Sequence, residues 1–224
     1  MACSMKLSPP APRQLTVIGV MTLALLAAIG SAQGAVDAAF EPASQHFMLA
    51  SAGDKGAVDK AADEFAALLK AEPASPVLLA YAGAAVAMRA GTTAMPWEKM
   101  GYAEDGMAQI DKALALLTPA HDAPMQHGTP GSLETKYIAA NTFLAVPGFM
   151  NRGARGSRLL NELMANPLFA SAPLPFKGQV WMRAAALVAK EDRSAEARRL
   201  WNEVIAQGAP QAEAAKAKLK GLAA

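Results

Sequence analysis

Apolar residues recur along this chain at helical spacing, in short blocks separated by prolines and glycines. Ala61, Phe65, Leu68 and Leu69 fall at i, i+4, i+7 and i+8 while Asp59, Lys60, Asp63 and Lys70 take the opposite face, which predicts an amphipathic helix over about 57–71. Pro73 and Pro76 end it. A less regular helix is expected upstream at about 38–52, with Pro42 in its first turn, where a missing N–H costs nothing. From Pro76 to Ala90 the chain is apolar nearly all round, and the small pair Ala82-Gly83 allows close helix approach. An insertion over 91–105 then precedes a helix at about 104–117. Residues 118–132 carry Pro119, Pro124, Gly128, Pro130 and Gly131, a density of breakers that predicts irregular structure. Helices follow at 133–146 and 157–165, then a hairpin over 178–211 and a terminal helix over 211–222. No run of alternating β-branched residues appears, so strands are not expected.

The blocks also repeat. Trp181, Ala184, Ala185 and Val188, then Ala197 and Trp201, read W-x2-A-A-x2-V and A-x3-W, closed by Pro210. Ala61, Phe65 and Pro73 repeat the second half of that pattern, and Pro42 and Pro76 lie 34 residues apart. The chain thereby resembles the tetratricopeptide repeat family, most clearly in units 42–75 and 178–211. The resemblance implies an all-α fold: a right-handed α-solenoid of about four helix hairpins over 35–224, closed by a C-terminal capping helix. It also implies a concave groove lined by the first helix of each hairpin. In this chain that register selects His46, then Ala80, Ala84 and Met88, then Tyr137, Asn141 and Leu144, then Gln179, Met182, Arg183 and Lys190. Asn141 and Arg183 match positions of the family's carboxylate clamp, but its leading lysine is missing, which argues against that binding mode.

Residues 1–34 have a different character. Lys6 and Arg13 precede an apolar run from Leu15 to Ile29, and Gly30-Ser31-Ala32-Gln33-Gly34 follows, the layout of a secretory signal peptide cleaved after Gly34 or after Ala32. An uncleaved anchor is the competing reading, although a run of 15 residues is shorter than the ~20 that span a bilayer. The expected location is a periplasm. The single cysteine, Cys3, lies upstream of the apolar run, so neither a disulfide nor a cysteine-based metal site is expected beyond it.

Charge is distributed unevenly. Residues 37–134 carry 13 acids against 6 bases, and residues 135–224 carry 13 bases against 6 acids, so the two halves stand at −7 and +7. With no net basic footprint beyond the leader, nucleic acid is not an expected partner. Arg152, Arg155 and Arg158 cluster in a glycine-rich turn beside Phe149 and Met150, a candidate contact for an acidic partner or for lipid headgroups at a membrane surface.

No histidine lies in a nucleophile motif, so catalysis is not expected, and no cofactor is called for. His121, Met125 and His127 form a thioether and imidazole set of the kind that suits Cu(I). Loop histidines and gap-filling methionines are the ordinary alternative. The sequence thus points to a non-catalytic exported scaffold or adaptor that holds a peptide or helix of a partner in a cell-envelope assembly. The alternative is a periplasmic carrier of a small ligand or Cu(I), and a self-assembling structural element is a third possibility.

Overall fold

Asp54 and Ser75 show how the local sequence punctuates this chain. The Asp54 carboxylate accepts the Gly56 N–H at 2.8 Å and starts a helix at Lys55, and the Ser75 hydroxyl caps a helix that has Pro76 in its first turn. Both satisfy backbone donors that the first helical turn leaves unpaired. The computed structural model describes residues 36–222, so the leader read over 1–34 lies outside the described residues. From Phe40 onward the chain forms one compact unit.

The described residues are mostly helical, with no strand among them. The helices are α1 (residues 36–51), α2 (Lys55–Ala71), α3 (Pro76–Arg89), α4 (Pro96–Ala115), α5 (Gly131–Ala145), α6 (Gly153–Ala165), a short α7 (Pro167–Ser171), α8 (Leu174–Lys190), α9 (Ser194–Ala206) and α10 (Ala212–Gly221). They pair in sequence as hairpins, α1 with α2, α3 with α4, α5 with α6 and α8 with α9, and α10 packs on α9. The fold is all-α and built from helix hairpins.

Aromatic packing joins the first hairpin to the second. Phe40 and Phe47 of α1 meet Phe65 of α2 edge to face at 5.8 and 5.9 Å, and the Tyr81 ring of α3 stacks on Phe65 at 4.6 Å with 6° between planes. Such pairs add to the gain from burying ring surface. The second hairpin closes through glycine. A Cβ on Gly106 of α4 would meet the Gly83 carbonyl at 2.4 Å, and one on Gly83 would meet the Gly106 carbonyl at 2.7 Å, so backbone touches backbone at this crossing. Ala184, Ala185, Val188, Ala197 and Trp201 are buried on α8 and α9, while Trp181 is only partly buried and meets Phe169 of α7 edge to face at 5.7 Å.

Several boundaries differ from those expected, among them the start of α6 at Gly153 rather than at about 157. Pro42 lies inside α1 rather than in its first turn. The insertion over 91–105 is mostly helix, because Pro96 sits at the start of α4 and only the turn before it is irregular. Segment 118–130 folds back on itself: Met125 N–H donates to the Thr129 carbonyl at 2.8 Å, and Gly131 N–H donates to the Ala123 carbonyl at 3.2 Å. A short 3-10 turn, Pro119–Asp122, also lies in this segment.

Candidate functional site

Helices α1, α3, α5 and α8, the first of each hairpin, face one cavity of about 920 Å³. That volume lies in the range of pockets that enclose small ligands or short peptide segments. Phe47, Tyr81, Tyr137, Ile138 and Phe176 supply most of its apolar wall, and Glu134, Asn141, Gln179 and Arg183 its main polar groups. The 118–130 segment adds His127 and Thr129. It is tied to α1 by His127, whose Nε2 pairs with Glu41 at 2.8 Å and whose ring lies 6.3 Å from that of Phe40.

The most unusual group in the cavity is Glu134. It is 8 % exposed, and its Oε1 accepts the Tyr81 hydroxyl at 2.7 Å, while Oε2 has no hydrogen-bond partner. Burial pushes its carboxyl up to about 7, against the pull of the Tyr81 hydrogen bond and the charge of His127. Burial and the adjacent Glu134 likewise push the Tyr81 phenol well above its ordinary range, so it stays a donor.

A second charged group lies farther along the same wall. Arg183 of α8 reaches back to α5, where its Nη2 donates to the Asn141 carbonyl at a long 3.4 Å, and its Nε has no partner. Desolvation lowers its pKa, partly offset by the neighbouring Tyr137 hydroxyl. No carboxylate lies within ion-pair distance of it among the described residues. Between the two charges stands Tyr137, packed edge to face against Phe176 at 5.5 Å.

Of the residues selected by the repeat register, Ala84, Met88, Tyr137, Asn141, Gln179 and Arg183 line the cavity. The other five lie elsewhere, Ala80 being fully buried in the core. His46 turns toward α2 and pairs with Glu64 at 2.8 Å. Leu144 packs against α6, where a Cβ on Gly156 would meet its Cγ at 2.8 Å. Met182 and Lys190 are not part of the lining, and Lys190 lies exposed at the end of α8. Glu134 and Tyr81 were not selected from sequence, although each lies on the face that was. Glu134 precedes Tyr137 by one turn, and Tyr81 precedes Ala84 in the same way.

Most of the remaining candidates are already paired with other groups of the chain. Arg152 and Arg155 both pair with Asp111 of α4, Arg152 at 3.0 Å, and both lie over the Phe143 ring at 5.5 and 5.0 Å. Of the three arginines only Arg158 is exposed. The His121 Nδ1 accepts the Thr118 N–H at 3.0 Å, Met125 packs on Gly131, and His127 is paired with Glu41. Among the described residues, no group of three or more His, Cys, Asp or Glu side chains is arranged to hold a metal ion. Comparison with family models, with curated proteins and with solved structures gives no match for this chain.

Proposed function

We propose that this chain is a non-catalytic binding protein of the cell envelope, which holds a peptide segment of a protein partner between its hairpins. The observation that carries this reading is the convergence of α1, α3, α5 and α8 on one cavity of about 920 Å³ with aromatic walls and polar groups set among them. Apolar walls supply affinity, and a small number of fixed polar groups select and orient what enters. The tetratricopeptide resemblance supports the same reading, because its hairpins stack to expose such a concavity. Export rests on the Leu15 to Ile29 run and the small residues after it.

The test is site-specific photo-cross-linking in the native envelope. A photoreactive residue at Gln179, exposed on the cavity wall, should capture one reproducible peptide of one partner. The same residue at Arg158, on the exposed face of α6, should not. Equal capture from both positions, or none from Gln179, overturns the reading.

A small-ligand carrier is the second reading, favoured by the unpartnered Oε2 of Glu134, since enclosed charges suit a compact polar ligand. A thermal-shift screen separates the two, because a ligand specific for the folded state raises the midpoint by an amount that grows with the logarithm of its concentration over its Kd. The Cu(I) form of this reading has less support, with both histidine rings already engaged.

A further inference from the structure

Glu134 and Arg183 line the same cavity, each lacks a full set of partners, and they do not pair with each other. A buried carboxylate with a free oxygen and a half-buried guanidinium with a free N–H are each costly to leave unpaired. Their separation follows from the helix that connects them. Arg183 reaches the carbonyl of Asn141, seven residues beyond Glu134 on α5. At 1.5 Å per residue that sets the two anchoring positions on α5 about 10 Å apart along the helix axis. An extended peptide advances ~3.3–3.6 Å per residue, so roughly three residues cover the gap. The aromatic pair Tyr137 and Phe176 lies along the way and suits an apolar side chain in the middle.

We infer that the cavity takes a bipolar peptide segment, with an amine seated on Glu134 and a carboxylate on Arg183 about three residues away. The inference rests on the groove reading above and adds the chemistry of the occupant. Ionised Glu134 offers Oε2 to the amine while Tyr81 holds Oε1 in place. Arg183 meets the carboxylate with its guanidinium, which lines the cavity and has no carboxylate partner within the described residues. The two charges can belong to the free ends of a short peptide or to a basic and an acidic side chain of a longer one.

Calorimetric titration of the purified full chain tests this. The probes are the tripeptide Ala-Leu-Ala with free ends, its N-acetylated form, its C-terminal amide, its doubly blocked form, and the blocked tetrapeptide acetyl-Lys-Leu-Ala-Asp-amide. Either the free tripeptide or the tetrapeptide should bind about tenfold or more tightly than the doubly blocked tripeptide, and which of them does so identifies the source of the charges. Glu134→Gln should remove the preference for the amine and leave that for the carboxylate. Arg183→Gln should do the reverse. Both variants are first required to melt cooperatively, and Glu134→Gln keeps the shape of the side chain. Equal binding of all probes overturns the bipolar inference while the groove reading stands. Absence of binding by every probe also overturns it, and capture at Gln179 then decides the groove reading separately.

Discussion

The Tyr81 hydroxyl donates to Glu134 at 2.7 Å across 53 residues of sequence, and this one hydrogen bond ties the second hairpin to the third inside the cavity. The ring of Tyr81 is fixed by its stack on Phe65 and by Phe47 at 4.8 Å, so the hydroxyl has little freedom to look elsewhere. Tyr81→Phe keeps the stack and removes the donor, leaving both oxygens of a buried carboxyl without partners. The expected loss is about 1–3 kcal/mol of stability at pH 8, read from urea unfolding. A variant as stable as the wild type would mean that the contact contributes nothing.

The same carboxyl sets a pH dependence. With its pKa pushed by burial from 4.5 to about 7, Glu134 holds a proton in the native state that the unfolded chain has already released between those two values. Its favourable contribution is therefore complete below pH 4.5 and disappears as pH rises through about 7, a change on the order of 3 kcal/mol. The groups facing it are Tyr81 from α3, His127 from the 118–130 segment, Tyr137 on α5 and Arg183 from α8, with Glu41 of α1 paired to His127. Glu134→Gln retains all of them and removes only the carboxyl that titrates. The stability of Glu134→Gln relative to the wild type should rise from pH 5 to pH 8. A difference that does not change with pH would place the carboxyl in a solvated site.

Sequence carried the helices further than the cavity. Amphipathic spacing and prolines placed α2, α3 and α5 within two residues, since period and punctuation are local properties. Pro42 was misplaced because a proline can sit within a helix whose exposed face tolerates the lost hydrogen bond. The start of α4 was missed because Met95-Pro96-Trp97 reads equally as a loop or as a helix opening on Pro96. Groove residues depend on the register about each helix axis, where one position turns the side chain by ~100°. His46 therefore lies on Glu64 while its neighbour Phe47 lines the cavity. Nothing in the sequence marks Glu134 out from other acids, and only the distant approach of Tyr81 reveals its burial.

The crossing of Gly83 and Gly106 gives a prediction with its own control. Gly106→Ala would place a methyl 2.4 Å from the Gly83 carbonyl and 2.6 Å from the Ala87 nitrogen, and neither backbone atom can move without separating α3 from α4. The expected cost is about 1–3 kcal/mol or more. Gly101 lies on the same helix with nothing within 4 Å of its Cβ position, so Gly101→Ala should stabilise by up to ~1 kcal/mol through helix propensity alone. Thermal melts of the two variants should move in opposite directions.

The arginine turn separates structural from functional use of charge. Asp111 receives both Arg152 and Arg155, which lie over Phe143, so Asp111→Ala leaves two cations adjacent without their counter-charge. The side chains are about one-third exposed, and solvent screening limits the expected loss to roughly 1 kcal/mol or less. The cavity lies outside this cluster, so peptide capture at Gln179 should persist in Asp111→Ala. Tyr137→Ala should behave in the opposite way, reducing capture about tenfold or more because it removes an aromatic wall between Glu134 and Arg183. Met182→Ala, outside the lining, serves as the matched control on α8 and should leave capture unchanged. Loss of capture in Asp111→Ala together with retention in Tyr137→Ala would move the binding surface from the cavity to the turn, where guanidinium groups rather than aromatic walls select the partner.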